Sequence, residues 1–145
     1  MSAQQPIAQP PEVGATVKVF TLAEANRSLV LVSRIVQDLV HKYRRFMDLR
    51  DARYELSGLP GNSEVLQRMD TETGILRREL ATLHQELERI GCVLKDWVDG
   101  LVDFPAQYQG RPVWLCWRLG DPAIAHWHEL DAGFAGRQPV GPDFP

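Results

Sequence analysis

The sequence predicts an α+β protein, a long antiparallel helical hairpin followed by a small antiparallel sheet of three to four strands. Three observations carry this expectation. Between residues 21 and 90 apolar residues recur at alternating three- and four-residue spacing, which projects them onto one helix face. From Cys92 onward the apolar runs shorten and are separated by turn-forming pairs, as in strands. Aromatic residues are also segregated: all four tryptophans lie in the last third of the chain, after a stretch dominated by Leu, Val, Glu and Arg.

Composition sets the frame for these elements. The chain has 145 residues, 44% hydrophobic and 24% charged, with a formal charge of −3, which fits one ordinary domain and excludes disordered and collagen-like classes. No apolar run approaches the roughly 20 residues that a bilayer span needs. The residues after Met1 form neither a basic nor an apolar leader region, so a cytoplasmic protein is expected. Two cysteines, Cys92 and Cys116, do not make the disulfide framework of a small secreted domain.

Residues 1–15, rich in Pro and Gln, read as a disordered tail, and residues 16–140 as a single domain. Thr16 to Phe20 alternates at period two, which fits a short strand. Thr21-Leu22-Ala23-Glu24 is a capping-box pattern that starts a helix. The seam Leu22, Ala25, Leu29, Val32, Val36, Leu39, Tyr43 and Phe46 follows, with the spacing of a coiled-coil stripe. A loop rich in Gly and Pro near residues 57–62 ends it. A second seam then runs Leu66, Met69, Thr73, Leu76, Leu80, Leu83, Leu87 and Ile90, with Asn62 or Ser63 as cap and Gly91 as stop. The short loop makes the helices antiparallel neighbours, a hairpin over 21–90. Val30, Leu31, Ile35 and Val40 widen the apolar arc of the first helix beyond what one partner covers. Either the C-terminal half or a second copy of the chain must pack there, and a homodimer through the first helix is expected.

Residues 92–130 form the β-rich part. Cys92 to Val98 is a strand candidate, Asp99-Gly100 a hairpin turn, and Leu101 to Phe104 a return strand stopped by Pro105. Pro112 to Leu119 and Ala123 to Leu130 read as a second strand pair around Gly120-Asp121-Pro122. Residues 131–140 form a Gly-rich loop, and residues 141–145 are expected to be loose.

Chemistry concentrates in this second half. His126 and His128, two apart in a strand, share a face, and with Cys116 on the partner strand they would form a soft N/S cluster suited to Zn²⁺, provided the register aligns them. Glu129 would then lie on the other face. The competing reading makes Cys116 a small buried hydrophobe and the histidines hydrogen-bonded members of a tryptophan-rich sheet. A second constellation combines Arg118, His128, Glu129, Asp131, Gly133, Gly136 and Arg137: glycines that expose backbone N–H groups, and a guanidinium fork that suits a small anionic ligand. Its alternative is an internal pairing of Arg137 with Glu129 or Asp131. Between His41 and Tyr54, five Lys or Arg accompany two Asp. Such a run is more often the solvated face of a helix than a nucleic-acid patch, and nucleic acid is not an expected partner. Phosphate loops, nucleophile elbows and paired-Cys zinc patterns are absent from the sequence.

Four stretches also resemble an uncharacterised prokaryotic family of small proteins, a domain of unknown function. They are Phe20 to Asn26, Gly100 to Pro105, Leu115 to Gly120, and Trp127 to Pro139, together spanning about residues 18–140. Within that resemblance fall Cys116, Arg118, His128, Glu129, Gly133, Gly136 and Arg137. His126 stands where relatives more often carry an aromatic residue, which favours His128 with Glu129 and Arg137 over a site needing both histidines. The sequence reading is thus a dimeric module that binds a small ligand or partner through a His/Glu/Arg loop. The alternatives are a zinc-type hydrolytic enzyme with Glu129 as general base and a purely structural interaction module.

Overall fold

A computed structural model describes residues 18–145. The expected tail, and Thr16 and Val17 of the expected first strand, lie outside the described residues. Phe20 is buried and donates its N–H to the Pro105 carbonyl at 2.7 Å, so the chain enters alongside the sheet without forming a regular strand there.

Helix α1 runs Leu22–Ser57 and α2 runs Ser63–Ile90. The capping box forms as expected: the Glu24 N–H donates to Thr21 Oγ1 at 3.1 Å, and the Thr21 N–H donates to the Glu24 carboxylate at 3.4 Å. Gly91 ends α2 at φ +104°, in the left-handed region that favours glycine. No residue of either seam is exposed. The basic stretch of α1 is matched by acids of α2, with Arg45 on Glu72 at 2.9 Å and Lys42 on Glu79 at 3.1 Å, and Arg53 bonded to Asp70. These cross-hairpin pairs engage three of the five cations of the stretch, where the sequence reading expects pairs within the helix. No helix among the described residues is long and apolar enough to cross a membrane.

The sheet has five strands rather than three to four, all antiparallel and in chain order: β1 Val93–Asp96, β2 Leu101–Tyr108, β3 Arg111–Arg118, β4 His126–Glu129 and β5 Gln138–Pro139. The extra strand comes from the C-terminal segment, where Gln138 and Pro139 pair with Trp127 and His126. Pro105 does not stop β2. Its carbonyl points to Phe20, away from β3, so the missing proline N–H breaks no bond of the β2–β3 ladder. Strand β4 is shorter than expected because residues 121–125 follow an irregular path, along which the Ile124 N–H donates to Asn26 Oδ1 of α1 at 2.8 Å.

One sheet face meets the hairpin. Val102, Phe104, Val113, Leu115, Trp117 and Trp127 join Val32, Val36, Leu39, Leu80 and Leu87 in a single core. That packing covers Ile35 and Val40 of the widened arc, while Val30 and Leu31 stay 67% and 55% exposed. The last residues are anchored, contrary to the expected loose end. Phe144 is buried and stacked on Tyr108 at 5.0 Å, the Tyr108 hydroxyl donates to Asp143, and the Leu22 N–H donates to the Pro145 carbonyl.

Candidate functional site

The sheet face opposite the hairpin holds the chemistry. Register sets Asp103 of β2 opposite Cys116 of β3, and Cys116 opposite His126 of β4; Trp114 lies opposite His128. Directly opposed residues share a face, so all of these project outward from the helices. The result is a compact group of three: one ligand atom each from Asp103, Cys116 and His128, all within 4.8 Å of one another. The three residues are only 3%, 4% and 4% exposed, respectively, which is ordinary for cysteine but uncommon for an aspartate unless it is paired. After β4 the chain folds back over this face through a 3₁₀ turn, Phe134–Gly136, leaving a cavity of about 280 Å³ lined by the group and by Lys95, Trp114, Leu130 and Phe134, among others.

Hydrogen bonding fixes the state of the imidazole. His128 Nδ1 lies 2.9 Å from the Glu129 carbonyl, and because a carbonyl only accepts, Nδ1 carries a hydrogen. Nε2 lies 3.0 Å from Asp103 Oδ2, so one proton is shared between that nitrogen and the carboxylate. Burial works against the imidazolium. The Asp103 hydrogen bond, the Glu129 carbonyl and the Asp103 charge outweigh it and raise the His128 pKa above its ordinary value, while the Lys95 charge opposes them. The Cys116 thiol is pushed up to about 12, first by burial and then by the Asp103 charge, with the Arg137 charge pulling the other way. Cys116 is therefore a thiol at neutral pH. The groups beside it, Asp103 and His128, are bonded to each other, and His128 Nδ1 is bonded to the Glu129 carbonyl.

The other sequence candidates are dispersed. His126 faces Cys116 across the ladder but is not part of the compact group. Glu129 follows His128 in β4 and so points to the opposite face, where Arg111 Nε contacts both of its carboxylate oxygens at 3.1 Å and holds its carboxyl below the ordinary range. Arg118 reaches toward Asp99 at 3.9 Å, and Asp131 is exposed. Gly133 lines the cavity, and at Gly136 a Cβ would come within 2.9 Å of the Ala132 side chain. Arg137 pairs with neither Glu129 nor Asp131; its guanidinium lies 4.0 Å from the centre of the Phe134 ring. Asp103 was not among the sequence candidates. Its signal was a single carboxylate inside the apolar run Leu101-Val102-Asp103-Phe104.

A protein-family model matches residues 18–140. The chain belongs to DUF2203, an uncharacterised conserved protein family. The DUF2203 match spans both helices, all five strands and every member of the Asp103, Cys116 and His128 group. No curated protein and no solved structure matches the chain.

Proposed function

We propose that this DUF2203 protein is a cytoplasmic small-ligand-binding module whose pocket is floored by a zinc-type metal centre formed by Asp103, Cys116 and His128. The observation that carries this reading is the convergence of one carboxylate, one sulfur and one imidazole within 4.8 Å at the base of a cavity. A mixed O/S/N set suits Zn²⁺, and three protein ligands leave a fourth position for a water or ligand, the arrangement of zinc sites that bind substrates. The Glu129 carbonyl holds a hydrogen on Nδ1, so an ion that displaced the proton shared by Nε2 and Asp103 would meet the Nε2 lone pair, in the way outer hydrogen bonds orient ligating histidines. Bound there, the ion would supply Lewis acidity toward a ligand entering from the cavity.

Binding is favoured over hydrolysis because Glu129, the expected general base, is committed to Arg111 on the far face. The homodimer reading now rests on Val30 and Leu31, the part of the α1 arc that the sheet leaves uncovered. Zinc titration of metal-stripped, untagged protein tests the centre. About one equivalent should bind, and Cys116→Ser and His128→Ala should each abolish tight binding. Failure of the wild-type chain to bind added zinc, with both variants folded and indistinguishable from it, would leave the purely structural module as the better reading.

A further inference from the structure

The walls of the same cavity carry a second pattern. Lys95 and Trp114 both line it, and the Lys95 ammonium sits 5.3 Å from the Trp114 ring centre. Phe134 lines it too and carries the Arg137 guanidinium on its ring. Lys95 is thus a lining cation stacked on one aromatic wall, and Arg137, just outside the lining, is stacked on the ring of another. Neither makes an ion pair among the described residues, whereas Lys42, Arg45, Arg53, Arg111 and Arg118 do.

The carboxylates in the lining already have partners of their own. Asp103 is engaged with His128, and Asp96 Oδ1 accepts the N–H groups of Val98 at 2.8 Å and Asp99 at 3.1 Å, which holds that carboxylate in the turn. A centre of Zn²⁺ with one thiolate, one carboxylate and one neutral imidazole is itself uncharged, so Lys95 and Arg137 together outweigh the one further carboxylate of the lining, Asp96, and leave a net positive charge for a ligand to match. Leu101, Leu130, Trp114 and Phe134 supply apolar walls for its body.

We infer that the cavity takes a small organic oxyanion, a carboxylate or phosphate group on a flat apolar body, drawn by Lys95 in its wall and by Arg137 beside it on Phe134. This rests on the reading of the cavity as the ligand site and gives that site its ligand class. Interactions with a charged partner in such a pocket correspond to roughly tenfold in affinity or more for each cation. Fluorine-detected NMR of the full chain with 4-fluorobenzoate, 4-fluorophenyl phosphate and uncharged 4-fluorobenzamide tests it, on zinc-loaded and on metal-stripped protein.

At least one anion should bind about tenfold more tightly than the amide, and the tighter of the two names the oxyanion. Lys95→Met and Arg137→Met, which keep an apolar stem, should each weaken anion binding by about tenfold and leave the amide unchanged. Equal binding of amide and anions, no binding of any probe, or anion binding indifferent to both substitutions overturns the inference. Anion binding that depends on Lys95 and Arg137 in protein that takes up no zinc would uphold it while removing the metal centre. Zinc uptake without a preference for anions would do the reverse.

Discussion

His128 and Asp103 share one proton in a site almost closed to water, and that gives the metal-free fold a defined pH response. The folded-state pKa of His128 lies above its unfolded value, so the stabilisation is complete below the ordinary imidazole value of about 6.5 and is lost as pH rises through the raised one. The urea midpoint of metal-stripped protein should therefore fall as pH rises above about 6.5, and His128→Gln should flatten that fall. A midpoint that rises over the same range in the wild-type chain would contradict the pairing. At this scale the sequence was only partly informative. His128 and Cys116 were legible as candidates because imidazole and thiol are scarce. Asp103 was not, because a carboxylate in an apolar strand shows its role only when strand register brings it to a partner 25 positions away. Glu129 misled for a related reason: adjacency in sequence is opposition in a strand.

Elements were legible where the pattern is local. The capping box at Thr21, the two seams and the stop at Gly91 depend on neighbours within a few residues, and each formed as the spacing predicts. Tertiary partners decided the rest. Pro105 continues β2 because its edge faces Phe20 rather than a strand, and Phe144 is held by Tyr108 across 36 positions, which no periodicity signals. The β1–β2 turn joins both kinds of information. Gly100 has φ +75°, and a Cβ there would lie 2.9 Å from both the Val36 and Leu119 side chains. Asp99-Gly100 thus makes a turn and also seats the sheet against α1. Gly100→Ala should destabilise the fold by about 2–4 kcal/mol, from the left-handed backbone and the crowding together. Calorimetry should register this as a fall in Tm of roughly 5–15 °C, and an unchanged Tm would refute the docking role of the turn.

For the molecule as a whole, α1 is about 54 Å long at 1.5 Å per residue, yet its buried positions cluster from Ala25 to Val40, with only Leu49 beyond. Past Val40 the hairpin extends as an arm of two helices linked by exposed ion pairs, while the sheet and its cavity sit at the other end. The uneven sequence, aromatic-poor and then aromatic-rich, is this separation of arm from site. It left the oligomeric state open, since an uncovered stripe does not identify its cover, and the sheet proved to cover Ile35 and Val40. What remains at Val30 and Leu31 predicts a dimer at tens of micromolar, to be weakened by Leu31→Lys. Size-exclusion chromatography with light scattering checks this, and a clean wild-type monomer rejects it.

The central claim is that Asp103, Cys116 and His128 bind one metal ion with Cys116 as its thiolate ligand. Titration of the stripped, untagged chain with Co²⁺ reports this directly, because only a coordinated thiolate produces the near-ultraviolet thiolate-to-cobalt band. The band should saturate at about one equivalent and vanish in Cys116→Ser. A folded wild-type protein that gives no such band contradicts the metal centre.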